Sequence, residues 1–171
     1  MTKYGVRHIL TPIGDFYIVS SNLGIVRISW KYKRESNIVG KRHLDVAEKW
    51  IKMYFEGKGA TRPDLDYQRL TKFSCDVIKT LIEKIGFGEV ISYGNLAKMT
   101  NGGKASRAVG SVMARNPWPI MVPCHRVIKS DGDVGEYSIH GYEVNSKERV
   151  GSKKWLLKHE ENEIINNKIV R

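Results

Sequence analysis

The chain has 171 residues, with 29 Lys and Arg against 18 Asp and Glu, a formal charge of +11 at neutral pH. That length suits one domain or two small ones, and a 41% hydrophobic content without repeats or low-complexity tracts excludes a solenoid and a disordered chain. The basic excess draws polyanions, a nucleic acid or an acidic membrane surface, and is equally compatible with a solvated basic face that has no partner. No apolar run approaches the ~20 residues of a membrane span. The opening Met1-Thr2-Lys3-Tyr4-Gly5 does not lead into a signal-peptide core, so the reading is a cytoplasmic, intracellular protein with no membrane partner. Cys75 and Cys124, the two cysteines, are too few and too widely spaced for a thiol-based zinc site or a disulfide framework, and a reducing compartment keeps both as thiols.

From Val6 to Trp30 apolar and polar positions alternate, and Ser20-Ser21-Asn22-Leu23-Gly24 forms a turn between Phe16–Val19 and Ile25–Ile28, which predicts antiparallel strands. Leu44 to Phe55 carries Val46, Ala47, Trp50, Ile51, Tyr54 and Phe55 at helical spacing, stopped by Glu56-Gly57-Lys58-Gly59. Gly57 through Pro63 is the linker candidate, which gives domains 1–65 and 66–171.

Beyond it, Phe73, Val77, Ile78, Leu81, Ile82 and Ile85 make a 3.6-residue stripe that places Cys75 near a helix start as a packing residue. Ser92 caps a short helix through Leu96 and Met99; Thr100-Asn101-Gly102-Gly103 turns, and a second helix runs from about Lys104 to Ala114. Helix, tight turn, helix is the helix-turn-helix pattern, shared with αα-hairpins that never touch DNA. On the second helix Ala105, Ala108, Val109 and Val112 are expected to face the core, with Gly103, Ser106, Arg107, Gly110, Ser111 and Ala114 outward. A helix reading the major groove presents long polar side chains. This nearly bare face instead permits the close approach a minor groove requires, with Arg107 as a wedge between base steps, or else another helix packs there.

The chemistry concentrates in Asn116-Pro117-Trp118-Pro119-Ile120-Met121-Val122-Pro123-Cys124-His125-Arg126-Val127. Cysteine beside histidine suggests a nucleophile and its base, and the prolines are expected to hold the stretch in a rigid extended path. Here the sequence resembles the O6-alkylguanine-DNA alkyltransferases, whose hallmark Pro-Cys-His-Arg-Val stands at Pro123 to Val127. The resemblance runs from Phe73 to Glu160. It takes in Gly88-Glu89-Val90-Ile91-Ser92-Tyr93-Gly94, Arg107-Ala108-Val109-Gly110, Ser130-Asp131-Gly132, Gly135-Glu136-Tyr137 and Trp155-Leu156-Leu157-Lys158-His159-Glu160.

The resemblance implies an α/β (α+β) fold: a small antiparallel-sheet, ribonuclease-H-like N-terminal domain and a mainly helical C-terminal domain carrying the helix-turn-helix. It implies stoichiometric, irreversible transfer of the O6-alkyl group of guanine, and less well of O4-alkylthymine, to Cys124, with no cofactor and no metal. The family's chain of Glu, His, water and Cys maps onto Glu160, His125 and Cys124, the imidazole taking the thiol proton while the carboxylate fixes its tautomer. By the same pattern Tyr93 donates toward guanine N3, the Ser138 N–H reaches O6, Tyr137 walls the base pocket and Asn116 braces the turn before Cys124. The carbonyls of Cys124 and Val127 accept the exocyclic amine. Arg107 fills the space left by the nucleotide rotated out of duplex DNA, and Ser106, Gly110, Met113, Pro119 and Ser130 complete the contacts to substrate and DNA. The implied protein is a monomer that binds double-stranded DNA through the minor groove, is nucleoid-associated, and leaves a thioether with no step that regenerates the thiol.

The resemblance breaks after Tyr137. Relatives pass through a short glycine-containing turn into the last helix, whereas here Ser138 to Gly151 forms a longer loop, whose Lys147 and Arg149 either add a phosphate contact or, the stronger reading, belong to a mobile surface loop. The zinc ligands of some relatives are not evident, since no cysteine precedes Cys75. Two rival readings are a cysteine-less lesion-flagging relative, against which Cys124 stands, and a cysteine hydrolase, which would leave Tyr93, Arg107 and the bare helix unexplained.

Overall fold

The computed structural model describes residues 4–31, 38–100, 103, 105–135 and 146–170, of which 146–151 as backbone only. The chain is mixed α/β and divides into two compact units, Met1–Arg69 and Leu70–Arg171.

In the first unit β1 (Gly5–Thr11), β2 (Gly14–Ser20) and β3 (Ile25–Ser29) form an antiparallel sheet in the order β1-β2-β3. The two-residue period puts Phe16 and Ile18 of β2 inward, Ile18 opposite Ile28. Helix α1 (Lys41–Phe55) begins a few residues before the expected Leu44 and buries Leu44, Ala47, Trp50, Ile51 and Tyr54. The stretch expected to be a linker leads back into this unit. Ile25 N–H donates to Asp64 O at 2.8 Å and Asp66 N–H to Ile25 O at 2.9 Å. Burial of Leu65 drives this return, so the units part after Arg69 and not at the expected 65/66 boundary.

The second unit opens with α2 (Lys72–Lys84), capped by Thr71 Oγ1, which accepts from Ser74 N–H at 3.2 Å. Its stripe buries Val77, Ile78 and Leu81 as the periodicity predicts, and Cys75 is half-buried at the helix start. Strand β4 (Ile91–Ser92) leads into α3 (Tyr93–Met99), whose N-cap is Ser92 as expected: Asn95 N–H donates to its Oγ at 3.2 Å. Helix α4 (Ser106–Ala114) packs on α3. Its inner face is Val109, Val112 and Met113, while Ala108, expected inside, is exposed. Met113 is the larger apolar group, and burying it rotates Ala108 outward.

The segment after α4 is not the extended path expected. Ile120 turns back at φ 71, Val122 N–H donates to Trp118 O at 2.8 Å, and Cys124–Arg126 is a 3₁₀ turn entered from Pro123. Proline disrupts a helix interior but suits its entry, because its fixed φ matches the turn and its missing N–H has no partner to lose there. Strand β5 (Val127–Ile128) follows and pairs with β4 in parallel, Ile91 opposite Val127. Tyr93 directly follows β4, and the 3₁₀ turn that holds Cys124 directly precedes β5.

Helix α5 (Ser146–His159) starts within the stretch expected to be a loop up to Gly151, since Ser146 through Gly151 already follow helical backbone. The chain then makes a hairpin absent from the sequence reading, β6 (Glu163–Ile165) and β7 (Lys168–Val170). Its two central residues, Asn166 and Asn167, have φ of 49 and 65, a left-handed pair that asparagine tolerates better than other non-glycine residues.

Candidate active site

Glu160, the residue after α5, is fully buried. Its carboxylate accepts from His125 Nε2 at 2.7 Å, Arg126 Nε at 2.8 Å, Arg126 Nη2 at 2.9 Å and Gly88 N–H at 3.3 Å. Burial alone would raise its pKa, yet the His125 and Arg126 bonds and charges overcome that and hold it far below the ordinary carboxylate range. An ionised carboxylate only accepts, so the Nε2 of His125 carries the proton. Burial lowers the imidazole pKa from 6.5 against the opposing pull of Glu160. The ring is therefore neutral at physiological pH and its basic nitrogen is Nδ1.

Beside it, Asn116 directs both amide protons inward: Nδ2 donates to Cys124 Sγ and to Val122 O, each at 3.0 Å, while Oδ1 accepts from Trp118 N–H at 3.0 Å. The bracing role expected for Asn116 is joined here by a direct hydrogen bond to the sulfur. A donor aimed at sulfur favours the thiolate. Cys124 itself is 4% exposed. Tyr93, mostly buried, keeps its proton to higher pH than usual, first through burial and then through the charge of Cys124.

Two residues given no role in the sequence reading complete the centre. Arg126 is buried, and besides Glu160 its Nη1 donates to Ile85 O at 2.7 Å. Lys153 is 1% exposed, its Nζ donates to Val127 O at 2.7 Å, and burial drives its pKa down to about 8 against the attraction of Cys124 and Asp133. A signal for Lys153 existed, since Lys153, Leu156, Leu157 and Glu160 follow i, i+3, i+4, i+7 and all four are buried.

Of the other expected residues, Val127 is buried. Its carbonyl accepts from Lys153 and that of Cys124 from Val127 N–H. Gly110 faces Tyr93, with a β-carbon position 4.0 Å from its ring. Arg107 is exposed on the first turn of α4, Ser106 is half-buried and Ser130 is exposed. Met113 and Pro119 are buried. Tyr137 and Ser138 lie outside the described residues, and so do the side chains of Lys147 and Arg149. Among the described residues no group of three His, Cys, Asp or Glu is placed to hold a metal, and no helix is long and apolar enough to cross a membrane.

A buried thiol hydrogen-bonded by an amide, next to a neutral imidazole oriented by a carboxylate, is the equipment of a cysteine that takes up a group. Residues 72–162 match the profile of the 6-O-methylguanine DNA methyltransferase DNA binding domain, and the chain belongs to that family. It is 41% identical over 117 residues to the methylated-DNA--protein-cysteine methyltransferase of Rattus norvegicus, across 65% of this chain and 52% of that protein. The chain thus spans about half the length of the curated relatives it matches. Its fold is similar to the O6-methylguanine methyltransferase of Mycobacterium tuberculosis, with a TM-score of 0.73 and 27% identity over 92% of this chain and 93% of that one. A Mycobacterium tuberculosis OGT in complex with DNA superposes with a TM-score of 0.74 and 28% identity, over 91% and 92% of the two chains.

Replacing Glu160 by Ala strands Arg126 as a buried charge, which costs on the order of 3–5 kcal/mol; chemical denaturation should show that loss, and a Glu160→Ala protein as stable as the parent would contradict the reading. His125 also sets a pH dependence. Its folded pKa lies below the unfolded value of 6.5, so the unfolded chain binds the proton first as pH falls. Stability is then fully present above 6.5 and declines below it. The melting temperature should drop with acidification over this range, less so in His125→Gln.

Proposed function

We propose that this chain repairs DNA by direct reversal, moving the alkyl group on O6 of guanine to Cys124 in a single irreversible turnover. The observation that carries the reading is the Cys124 sulfur held by Asn116 beside the His125–Glu160 pair, within the stretch that defines the family. His125 takes the thiol proton at Nδ1 through a water, because Nε2 is committed to Glu160. The sulfur attacks the alkyl carbon, the carbon–oxygen bond breaks, and its electron pair leaves with the base. Tyr93, whose hydroxyl stays protonated, donates toward guanine N3 and neutralises charge on the departing purine. The thioether has no carbonyl for water to attack, so the thiol is not restored. O4-alkylthymine is the weaker substrate.

The target atom lies inside the duplex, so the nucleotide rotates out at a cost of a few kcal/mol. Helix α4 supports this step from the minor groove: Arg107, Ala108, Ser111 and Ala114 are exposed, a face of small side chains with one long cation to occupy the vacated stack. Helices α3 and α4 act as the helix-turn-helix, with Ser130 on a neighbouring phosphate, and Tyr137 and Ser138 as part of the base pocket. The protein works as a monomer, inside the cell and on the nucleoid, without metal or cofactor.

Intact mass after mixing with duplex DNA bearing O6-methylguanine tests the proposal. A permanent gain of one methyl group per chain, absent in Cys124→Ala, is expected. Binding without a mass change would favour a lesion-flagging module, and neither binding nor mass change would leave a cysteine hydrolase.

A further inference from the structure

A trough of about 890 Å³ opens in the C-terminal unit beside the site, between α3 and the turn that follows β5. Ser92, Asn95 and Lys98 line one side, Lys129 and Ser130 the other, and Ile169 of β7 lies among the lining residues. Ser92 precedes Tyr93 and Ile128, also in the lining, follows Val127, so the trough is one residue away from two groups that surround Cys124.

The turn carries two carboxylates, Asp131 and Asp133, which would repel an anion. The C-terminal hairpin engages both. Asn167 Nδ2 donates to Asp133 Oδ2 at 2.9 Å and Lys168 Nζ lies 3.6 Å from Asp131 Oδ2. The turn's own backbone takes further lone pairs, Asp133 N–H on Asp131 Oδ1 at 3.1 Å and Gly135 N–H on Asp133 Oδ1 at 2.8 Å. Main-chain bonds fasten the two together, Ile169 N–H to Gly132 O at 3.0 Å and Val134 N–H to Asn167 O at 2.9 Å. Among the described residues no carboxylate is part of the lining, and the cations that line it are Lys98, which is exposed, and Lys129, whose pair with the half-buried Asp133 spans 3.3 Å. A pair of that length to an exposed lysine is weak and exchanges readily for a phosphate oxygen.

We propose that this trough is a subsite for the DNA backbone, with Lys98 and Lys129 each neutralising one phosphate, Lys129 exchanging its contact with Asp133 for a phosphate oxygen while the C-terminal hairpin and the turn's own backbone bind the two carboxylates. The inference rests on the alkyltransferase reading and deepens it. On that reading the phosphodiesters that flank a nucleotide turned toward Cys124 pass the chain segments of Tyr93 and Val127, whose sequence neighbours Ser92 and Ile128 line the trough. Such contacts fix register on the duplex without reading sequence. The hairpin lies beyond residue 162, where the matched family profile ends.

The test uses the full chain and a short unmodified duplex, with affinity measured over a series of salt concentrations. Each of Lys98→Gln and Lys129→Gln should weaken binding several-fold and lower the slope of log K against log salt by about 0.9, the value for one phosphate contact. Lys98→Arg should restore the parent slope, and Lys58→Gln, the same charge change on an exposed lysine of the other unit, should leave it unaltered. Parent slopes in both trough variants, or an equal fall in Lys58→Gln, would overturn the inference. Because the duplex carries no alkyl group, that failure leaves the alkyl transfer reading standing. A parent chain that does not bind duplex at all would defeat both.

Discussion

The C-terminal unit is organised around one buried anion. Glu160, at the end of α5, gathers an imidazole and a guanidinium from the 3₁₀ turn at Cys124–Arg126 and a backbone N–H from the loop at Gly88. A charge in this setting is tolerable only when its lone pairs are filled, and here they are. The same bonds that make the carboxylate tolerable also determine the chemistry, because a carboxylate that stays ionised fixes which imidazole nitrogen carries the proton. Stability and reactivity therefore share a group, and a substitution at Glu160 disturbs both.

Around that anion the sulfur is placed by backbone geometry. The left-handed turn at Ile120 and the 3₁₀ turn after Pro123 bring Val122 O and Cys124 Sγ within reach of one amide, that of Asn116 at the end of α4. Asn116 links the helix proposed to lie on DNA to the residue proposed to be alkylated. With Cys124 almost closed off, an added methyl group has to displace neighbours in a packed region, the physical basis for expecting the alkylated protein to be less stable than the free one.

Much of this was legible in the residues. The stripe of α2, the Ser92 cap and the alternation of β2 and β3 each follow from a single period or a single side chain, and each is where the pattern puts it. His125 and Glu160 meet in a hydrogen bond, although they lie 35 residues apart and no local rule joins them. What was not legible depends on competition between distant groups. Ala108 and Met113 have similar claims on the inside of α4 until the neighbouring surfaces are known, and larger apolar area decides. The prolines suggested extended chain because their restriction was read without the turn that Ile120 and Pro123 permit. Lys153 departs from the rule that a lysine is seldom buried, and its bond to the Val127 carbonyl, with the attraction of Cys124 and Asp133, accounts for it. The Asn166-Asn167 turn, in contrast, was visible between two short β-branched runs and was missed.

The account turns on the protonation of one ring: a neutral His125 with its hydrogen on Nε2, facing Glu160, and a basic Nδ1. Nitrogen NMR of imidazole-labelled protein, with the His125 resonance assigned by its loss in His125→Gln, measures this directly. Near neutral pH the account predicts one protonated nitrogen coupled to the Hε1 and Hδ2 pattern of the Nε2–H tautomer. A doubly protonated ring, or a hydrogen on Nδ1, would contradict it.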